Sequence, residues 1–258
     1  MKLYEMVFSP TGGTKRAADI LAEEIGLKRQ VIDLTRMDTV YSDISISPED
    51  VCLAAVPSYG GRVPQAAAER ILQIKGSGAR AVIVCVYGNR AYEDTLAELK
   101  DVMDEAGFFC IGAVSAVAEH SIARQFAAGR PDREDEKELR GFADQLRPML
   151  TGEEQAEEVI VPGNRPYRKF GVVPVHPEAG KECSGCGACV GKCPVGAIPA
   201  DNPAKTDPSL CISCMRCIKI CPRDARKLNK LMAAAISQKL KKVCQEPKKN
   251  ELFLGGER

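Results

Sequence analysis

Cys183-Ser184-Gly185-Cys186-Gly187-Ala188-Cys189-Val190-Gly191-Lys192-Cys193-Pro194 opens one stretch of the chain, and Cys211-Ile212-Ser213-Cys214-Met215-Arg216-Cys217-Ile218-Lys219-Ile220-Cys221-Pro222 closes it. Each half reads C-x2-C-x2-C-x3-C-P, and the second begins 28 positions after the first. Eight cysteines at one repeated spacing make a ligand set, and this spacing is the one that holds a pair of 4Fe-4S clusters.

A cubane cluster needs four thiolates pointing inward. Three Cys spaced by two residues wrap one face, and the last Cys of each run ligates the other cluster. One set is therefore Cys183, Cys186, Cys189 and Cys221, and the other is Cys211, Cys214, Cys217 and Cys193. Pro194 and Pro222 fix φ and remove a donor just after each crossing Cys. Gly185 and Gly187 let the first loop curl, whereas Ile212, Ser213, Met215 and Arg216 make the second bulkier and more basic. Zinc ribbons use two separated C-x2-C pairs rather than such triplets. Disulfides need an oxidising compartment, for which the sequence carries no signal.

The chain has 258 residues, 45% of them apolar and 28% charged, enough for one mid-sized domain and a small one. Met1–Glu5 enters a strand-like run without a signal-peptide core, and no apolar stretch reaches membrane-span length. A reducing, cytoplasmic setting in a low-oxygen cell is the expectation.

Ahead of the cysteines, apolar runs alternate with helical periods. Leu3–Phe8 reads as a strand, and Ala18, Leu21, Ala22 and Ile25 then share a helix face. Between them lies Ser9-Pro10-Thr11-Gly12-Gly13-Thr14. A strand, a Gly/hydroxyl loop and a helix make an anion cradle of free amides, or simply a well-capped turn. The loop is neither G-x4-G-K-[ST] nor G-x-G-x-x-G. Strands follow at Gln30–Leu34, Val51–Val56, Ala79–Val86 and Phe108–Val117. Helices are expected over Gln65–Ile74, along Leu96, Leu99, Met103 and Ala106, and along Leu139, Phe142, Ala143, Leu146 and Leu150. Five βα units imply an α/β doubly wound parallel sheet with ligands beyond the strand carboxyl ends. Three loops fall there: Ser9–Thr14, Pro57-Ser58-Tyr59-Gly60-Gly61-Arg62-Val63-Pro64, and Tyr87-Gly88-Asn89-Arg90-Ala91-Tyr92-Glu93. The tyrosines suit the faces of a flat ring.

The motifs S-P-T-G-G-T, P-S-Y-G-G-R-V-P, Y-G-N-R-A-Y-E-D-T and A-E-H-S-I-A-R-Q-F-A-A-G-R-P-D carry a resemblance, with the linker V-P-G-N-R-P-Y and the second cysteine run. Residues 1–150 resemble a short-chain flavodoxin, and nearly the whole chain resembles the flavodoxin–ferredoxin fusion proteins of EFR type. The resemblance implies a flavodoxin-like five-stranded sheet of order 2-1-3-4-5, a small α+β two-cluster ferredoxin-like domain, FMN and an electron-transfer role. It places Ser9, Thr11, Gly12, Gly13 and Thr14 on the flavin phosphate. Pro57, Ser58, Tyr59, Gly60, Tyr87, Gly88, Asn89, Arg90 and Tyr92 fall around the ring. The expected divisions are 1–152 flavodoxin-like, 153–178 an interdomain strap, 179–226 the cluster domain, and 227–258 a C-terminal amphipathic helix and tail.

The strap is rich in Pro and Gly, but Tyr167, Phe170 and Val172-Val173 need apolar cover, so it reads as ordered, with a flexible tether as the alternative. Leu228, Leu231, Met232, Ala235, Ile236 and Leu240 form a stripe for core packing or for a partner. Arg216, Lys219, Arg223, Arg226, Lys227 and Lys230 form a solvated face or steer an acidic redox partner. Cys52, Cys85 and Cys110 read as core residues, and Cys244 lies outside any ligand spacing. His120 is a hydrogen-bonded structural residue or a proton relay.

The formal charge of +1 becomes about −5 when two clusters and a flavin phosphate are added, which argues against nucleic acid as a partner. The leading expectation is an electron carrier between FMN, two 4Fe-4S clusters and other redox proteins, with no catalytic residue of its own. One alternative is an oxidoreductase acting on NAD(P)H or a quinone, anchored by Arg62 or Arg90. The other is a ferredoxin whose flavodoxin-like half is a flavin-free docking domain.

Overall fold

Runs of apolar residues without polar alternation become strands buried on both faces of one sheet. In the computed structural model, which describes residues 1–171 and 175–256, these are β1 (Leu3–Val7), β2 (Arg29–Asp33), β3 (Val51–Pro57), β4 (Arg80–Tyr87) and β5 (Phe109–Val117). All five are parallel, in the order 2-1-3-4-5. Only β2, at the edge, exposes most of its residues, keeping Ile32 inside.

α1 (Gly13–Ile25) and α4 (Arg133–Thr151) pack on one face of the sheet, α2 (Gln65–Ile71) and α3 (Thr95–Glu105) on the other. α1 buries Ala18, Leu21, Ala22 and Ile25 as its period predicts, and each fully buried Leu or Ile contributes roughly 1.5–3 kcal/mol. α4 begins in a capping box: the Asp132 carboxylate accepts from the Glu134 and Asp135 amides, and Asp135 accepts from the Asp132 amide. Phe142, expected inward with Leu139 and Leu146, is only half-buried.

The cysteine-rich part is a small repeated unit. β6 (Glu178–Ala179) pairs antiparallel with β7 (Arg226–Lys227), and short helices α5 (Ala188–Lys192) and α6 (Arg216–Lys219) begin at equivalent places in the two runs. Gly185 and Gly187 have φ of 69° and 70°, and their counterparts Ser213 and Met215 have φ of 54° and 63°. The loop shape therefore recurs whether or not glycine is present.

Strap residues meet the first domain through apolar and polar groups: Val159 is buried in the sheet core, Val161 packs against it, and polar bonds add to them. The Asp94 carboxylate at the start of α3 accepts from the Asn164 amide (2.8 Å), Asn164 Nδ2 (2.9 Å) and the Arg168 amide (2.7 Å). Arg165 donates to Asp101 (2.8 Å), and Arg62 donates to the Arg168 carbonyl (2.6 Å). Phe170 stays exposed, with the Arg62 guanidinium 5.3 Å from its ring centre. Val172-Val173 lies outside the described residues.

Two expectations for the C-terminal region change. The stripe on α7 (Lys230–Cys244) does not enter a core: Cys244 is its one buried residue, and Leu231 is 82% exposed. α7 is held by polar groups instead: the Asn229 cap, Gln125, which donates to the Ser237 hydroxyl, and Asn89, which donates to the Cys244 carbonyl at 2.8 Å. The tail then returns to the first domain as β8 (Glu251–Leu254), pairing antiparallel with β5 from Gly112↔Leu254 to Ser115↔Glu251. The sheet thus has a sixth strand, which covers an otherwise open edge.

Deleting residues 245–258 is expected to reopen that edge. Hydrogen exchange at Gly112–Ser115 should lose protection tenfold or more, about 1.4 kcal/mol per tenfold, with a lower urea midpoint. Unchanged protection would show that β8 adds nothing to the sheet.

Candidate functional site: two cysteine cages beside an anion cradle

Cys183, Cys186, Cys189 and Cys221 line one hollow, with Gly187, Pro203 and Arg226 in its wall. Cys193, Cys211, Cys214 and Cys217 line a second, with Ile198, Met215 and Arg216. Among the described residues no three Cys, His, Asp or Glu side chains close around a single ion. A zinc ion would draw sulfurs to about 2.3 Å from one centre. Wider all-sulfur cages fit an iron–sulfur cubane instead. At each crossing Cys a backbone amide aims at sulfur: Ala197 to Cys193 at 3.2 Å and Ala225 to Cys221 at 3.3 Å.

The cages differ in their surroundings. Burial pushes the bare Cys214 thiol up to about 12 and Cys217 to about 11. At Cys221 burial also acts upward, but the amides of Arg223, Arg226 and Ala225 outweigh it and hold the thiol below its usual value. Cys186 of the first cage is exposed. The second cage leans on the sheet. Ile212 packs against the sheet core, Arg216 Nη1 donates to Thr35 Oγ1 (2.6 Å), and Arg70 Nη2 donates to the Pro194 carbonyl (2.6 Å). Burial of the Tyr59 hydroxyl, and then the Cys214 thiolate charge, raise it well above the usual phenol value, while the residue as a whole stays half-buried.

Ser9–Thr14 occupies the end of β1 and the start of α1. Gly12 has φ of 99°, a conformation that disfavours any side chain, and it caps α1 without a side-chain bond. Among the described residues the amides of Thr11, Gly12, Gly13 and Thr14 have no acceptor in the chain, and Ser9 Oγ takes the Lys15 amide at 2.9 Å. Lys15 turns away from this cradle: its ammonium pairs with Asp19 and lies 3.4 Å from buried Glu5, which also faces Arg29 at 3.2 Å. Burial raises the Glu5 carboxyl despite these cations. The cradle thus offers a group such as a phosphate neutral amides and a helix N-terminus rather than a side-chain cation.

The structure brings the three predicted loops to the same sheet edge, tied by Ser58 N to Val86 O (2.8 Å) and Ala118 N to Tyr87 O (3.0 Å). In the third loop, however, the side chains point at the C-terminal tail. Asn89 donates to the carbonyls of Cys244 and Glu246 and accepts from the Lys248 amide at 2.8 Å. Tyr87 donates to the Lys249 carbonyl (3.0 Å) and Tyr92 to the Glu251 carboxylate (2.6 Å), their rings meeting edge to face. Arg90 pairs with Glu93, and Gly88 leaves room for His120, whose atoms a Cβ there would approach within 2.7 Å. Ser58 Oγ is bonded to Thr95 Oγ1 at 2.8 Å. Of the three tyrosines, Tyr59 is the one whose hydroxyl is not bonded to the tail.

Sequence reading missed the tail residues Lys248, Asn250 and Glu251. Asn250 accepts from the Val117 amide and donates to Asp135 and Glu138. The short apolar run Leu252-Phe253-Leu254 was the available signal. The supposed basic face is also reduced, since Arg226 is buried inside the cluster domain and Arg216 is committed to Thr35.

His120 holds a structural position. Its Nδ1 accepts from the amides of Ile122 (3.2 Å) and Ala123 (3.1 Å), and burial, then Arg90, lower its pKa to about 4. The unfolded chain, with His near 6.5, binds this proton first, so its contribution to stability is complete above pH 6.5 and lost as pH falls towards 4. The loss is at most about 3 kcal/mol. NMR titration should find His120 neutral at pH 6 with a midpoint near 4; a midpoint near 6.5 would contradict the burial argument.

Residues 182–226 match the family model of the 4Fe-4S dicluster domain. Among solved structures, a flavodoxin of Streptococcus pneumonia is similar at 23% identity, covering 59% of this chain and 99% of its own, with a TM-score of 0.42. A flavodoxin of Megasphaera elsdenii is similar at 17% identity, covering 55% of this chain and 98% of its own, with a TM-score of 0.37. Among curated proteins none matches the chain. By strand order and helix placement, and by the family match, the chain joins an α/β domain of flavodoxin-like topology to a 4Fe-4S dicluster domain.

Proposed function

We propose that the chain is an electron-transfer protein holding FMN at the cradle and one 4Fe-4S cluster in each cysteine cage, and exchanging electrons with other redox proteins in the cytoplasm. The observation that carries this reading is the contact between the two halves: Arg216 donates to Thr35 and Arg70 to the Pro194 carbonyl, which sets the second cage at the same sheet edge as the cradle. FMN supplies one- and two-electron chemistry and each cluster one-electron chemistry.

The residues divide the work. The amides of Thr11–Thr14 hold the phosphate, and the φ of 99° at Gly12 aims them. Tyr59 covers the ring, and the Gly60–Gly61 turn behind it, with φ of 63° and 83°, sets its direction. Pro57, Ser58 and residues 87–92 frame the ring by their backbone, since the Tyr87, Asn89 and Tyr92 side chains serve the tail. Cys183, Cys186, Cys189 and Cys221 hold one cluster, and Cys193, Cys211, Cys214 and Cys217 the other. The first cage, with exposed Cys186 and Arg223, faces outward toward a partner.

The oxidoreductase reading needs a free cation beside the ring for an anionic substrate. Arg62 is instead paired with Glu98 at 2.7 Å, and Arg90 with Glu93. Reduction of a carrier without steady-state turnover of NAD(P)H is therefore expected.

Anaerobic reconstitution should yield about eight iron, about eight sulfide and one FMN per chain. Gly12→Val should weaken FMN binding tenfold or more with iron unchanged, and Cys214→Ser should bring iron to about four with flavin unchanged. Full iron with no flavin uptake would remove FMN from the function, and absence of iron would remove the clusters.

A further inference from the structure

The two cysteine runs superpose in sequence at an offset of 28 residues, and the backbone follows the repeat at Gly185 and Ser213, Gly187 and Met215, and Gly196 and Asp224, all with positive φ. One interior pair breaks the repeat in kind: Ile198, 4% exposed, corresponds to Arg226, 1% exposed. Ile198 lines the hollow of Cys193, Cys211, Cys214 and Cys217, and Arg226 lines that of Cys183, Cys186, Cys189 and Cys221.

An enclosed guanidinium is costly unless it is paired and fully hydrogen-bonded. Arg226 has no carboxylate partner among the described residues. Its bonds go to the carbonyls of Pro203 (2.5 Å), Pro177 (2.6 Å) and Lys205 (3.3 Å) and to the Thr206 hydroxyl, all neutral. Nη1 also lies 3.8 Å from Cys189 Sγ, and the guanidinium sits beside Cys217 of the other cage. Its Nε–H is buried and has no acceptor among the described residues. Arg216 brings a similar Nε–H to the second hollow, but it is only half-buried and tied to Thr35, so Arg226 is the fully enclosed one of the two.

An enclosed cation, one unused N–H and sulfur on both sides make an incomplete arrangement for the bare chain and a complete one beside an anionic cluster. We propose that Arg226 is a positioning residue for the clusters, giving the cage of Cys183, Cys186, Cys189 and Cys221 a fixed positive charge and an N–H aimed at cluster sulfur, and so making that cluster easier to reduce than the first repeat's isoleucine would. An oxidised cubane with four thiolates carries about −2 and gains one electron to reach about −3. A buried positive charge favours the more negative state, and net charge and hydrogen bonds to sulfur are among the levers that set cluster potentials. The inference rests on the cluster reading above and assigns the second repeat's arginine to tuning rather than to a surface patch.

The test is an EPR-monitored redox titration of the reconstituted full chain, with dithionite as the electron source through mediator dyes and iron counted beforehand. Arg226→Met and Arg226→Gln should keep full iron and shift the one-electron equilibrium of one cluster tenfold or more toward the oxidised form, a drop of 59 mV or more. Arg226→Lys, which keeps the charge, should shift it by less than half as much. Wild-type potentials in the Met and Gln variants would overturn the proposal, as would a Lys variant shifted as far as Met, which would make shape the cause. Loss of iron in all three variants, lysine included, would make Arg226 a folding residue and also overturn it. Absence of iron in the wild-type chain would instead be a failure of the cluster reading itself.

Discussion

Three sulfur atoms of a short loop must face one centre together with a fourth from the other run, and the rest of the cluster domain bends to allow it. Ser213, Met215 and Asp224 take φ of 54°, 63° and 47°, a conformation costing roughly 1–2 kcal/mol for a residue with a side chain. The first run meets the same demand with Gly185, Gly187 and Gly196. Strain accepted three times in the second run shows that sulfur placement, not local preference, sets the backbone there. The helices α5 and α6, the β6–β7 pair and the buried position of Arg226 follow from two such loops folded face to face.

The second constraint is attachment. The cluster domain is inserted between a strap and a tail that both end on the flavodoxin-like sheet. The strap is gripped at the N-terminus of α3, where three donors converge on Asp94 and, with the Arg168 amide foremost, hold its carboxyl below the usual range. The tail is gripped by Asn89, Tyr87, Tyr92, Arg130 and the β5 edge. With Arg70 and Arg216 bridging directly, the second cage is fixed against α2 and the loop after β2. Polar anchors on strand and helix ends thus fix the separation between the two halves.

The division of side chains at the sheet edge follows from the same attachment. Tyrosines suited to a flat ring also suit a returning chain, because each has an apolar face and a polar tip. Tyr87 and Tyr92 give their tips to the tail, and the Tyr59 hydroxyl is buried instead. Asn89, with φ of 62°, uses both ends of its amide on the tail backbone. A composition that reads as ligand chemistry was thus partly domain-closure chemistry.

The sequence by itself determined what depends on spacing and short period. The cysteine repeat partitions into two quartets because a tight C-x2-C-x2-C loop leaves the fourth ligand to the other run. The doubly wound sheet is legible in apolar runs separated by helical faces such as Ala18, Leu21 and Ile25, which α1 buries. The Ser9–Thr14 cradle is legible because strand, glycine and helix start are adjacent in the chain. Only tertiary structure decided the sixth strand, the exposure of α7, the occupants of Asn89 and Tyr92, and the burial of Arg226. Each depends on a partner more than a hundred residues away or, for Arg226, on carbonyls that become acceptors once two loops fold together. A lone arginine in a basic run and a three-residue apolar run in the tail look the same locally whether they face solvent or a core. What distinguishes them is which unpaired backbone groups lie within reach, and that is set by the whole fold.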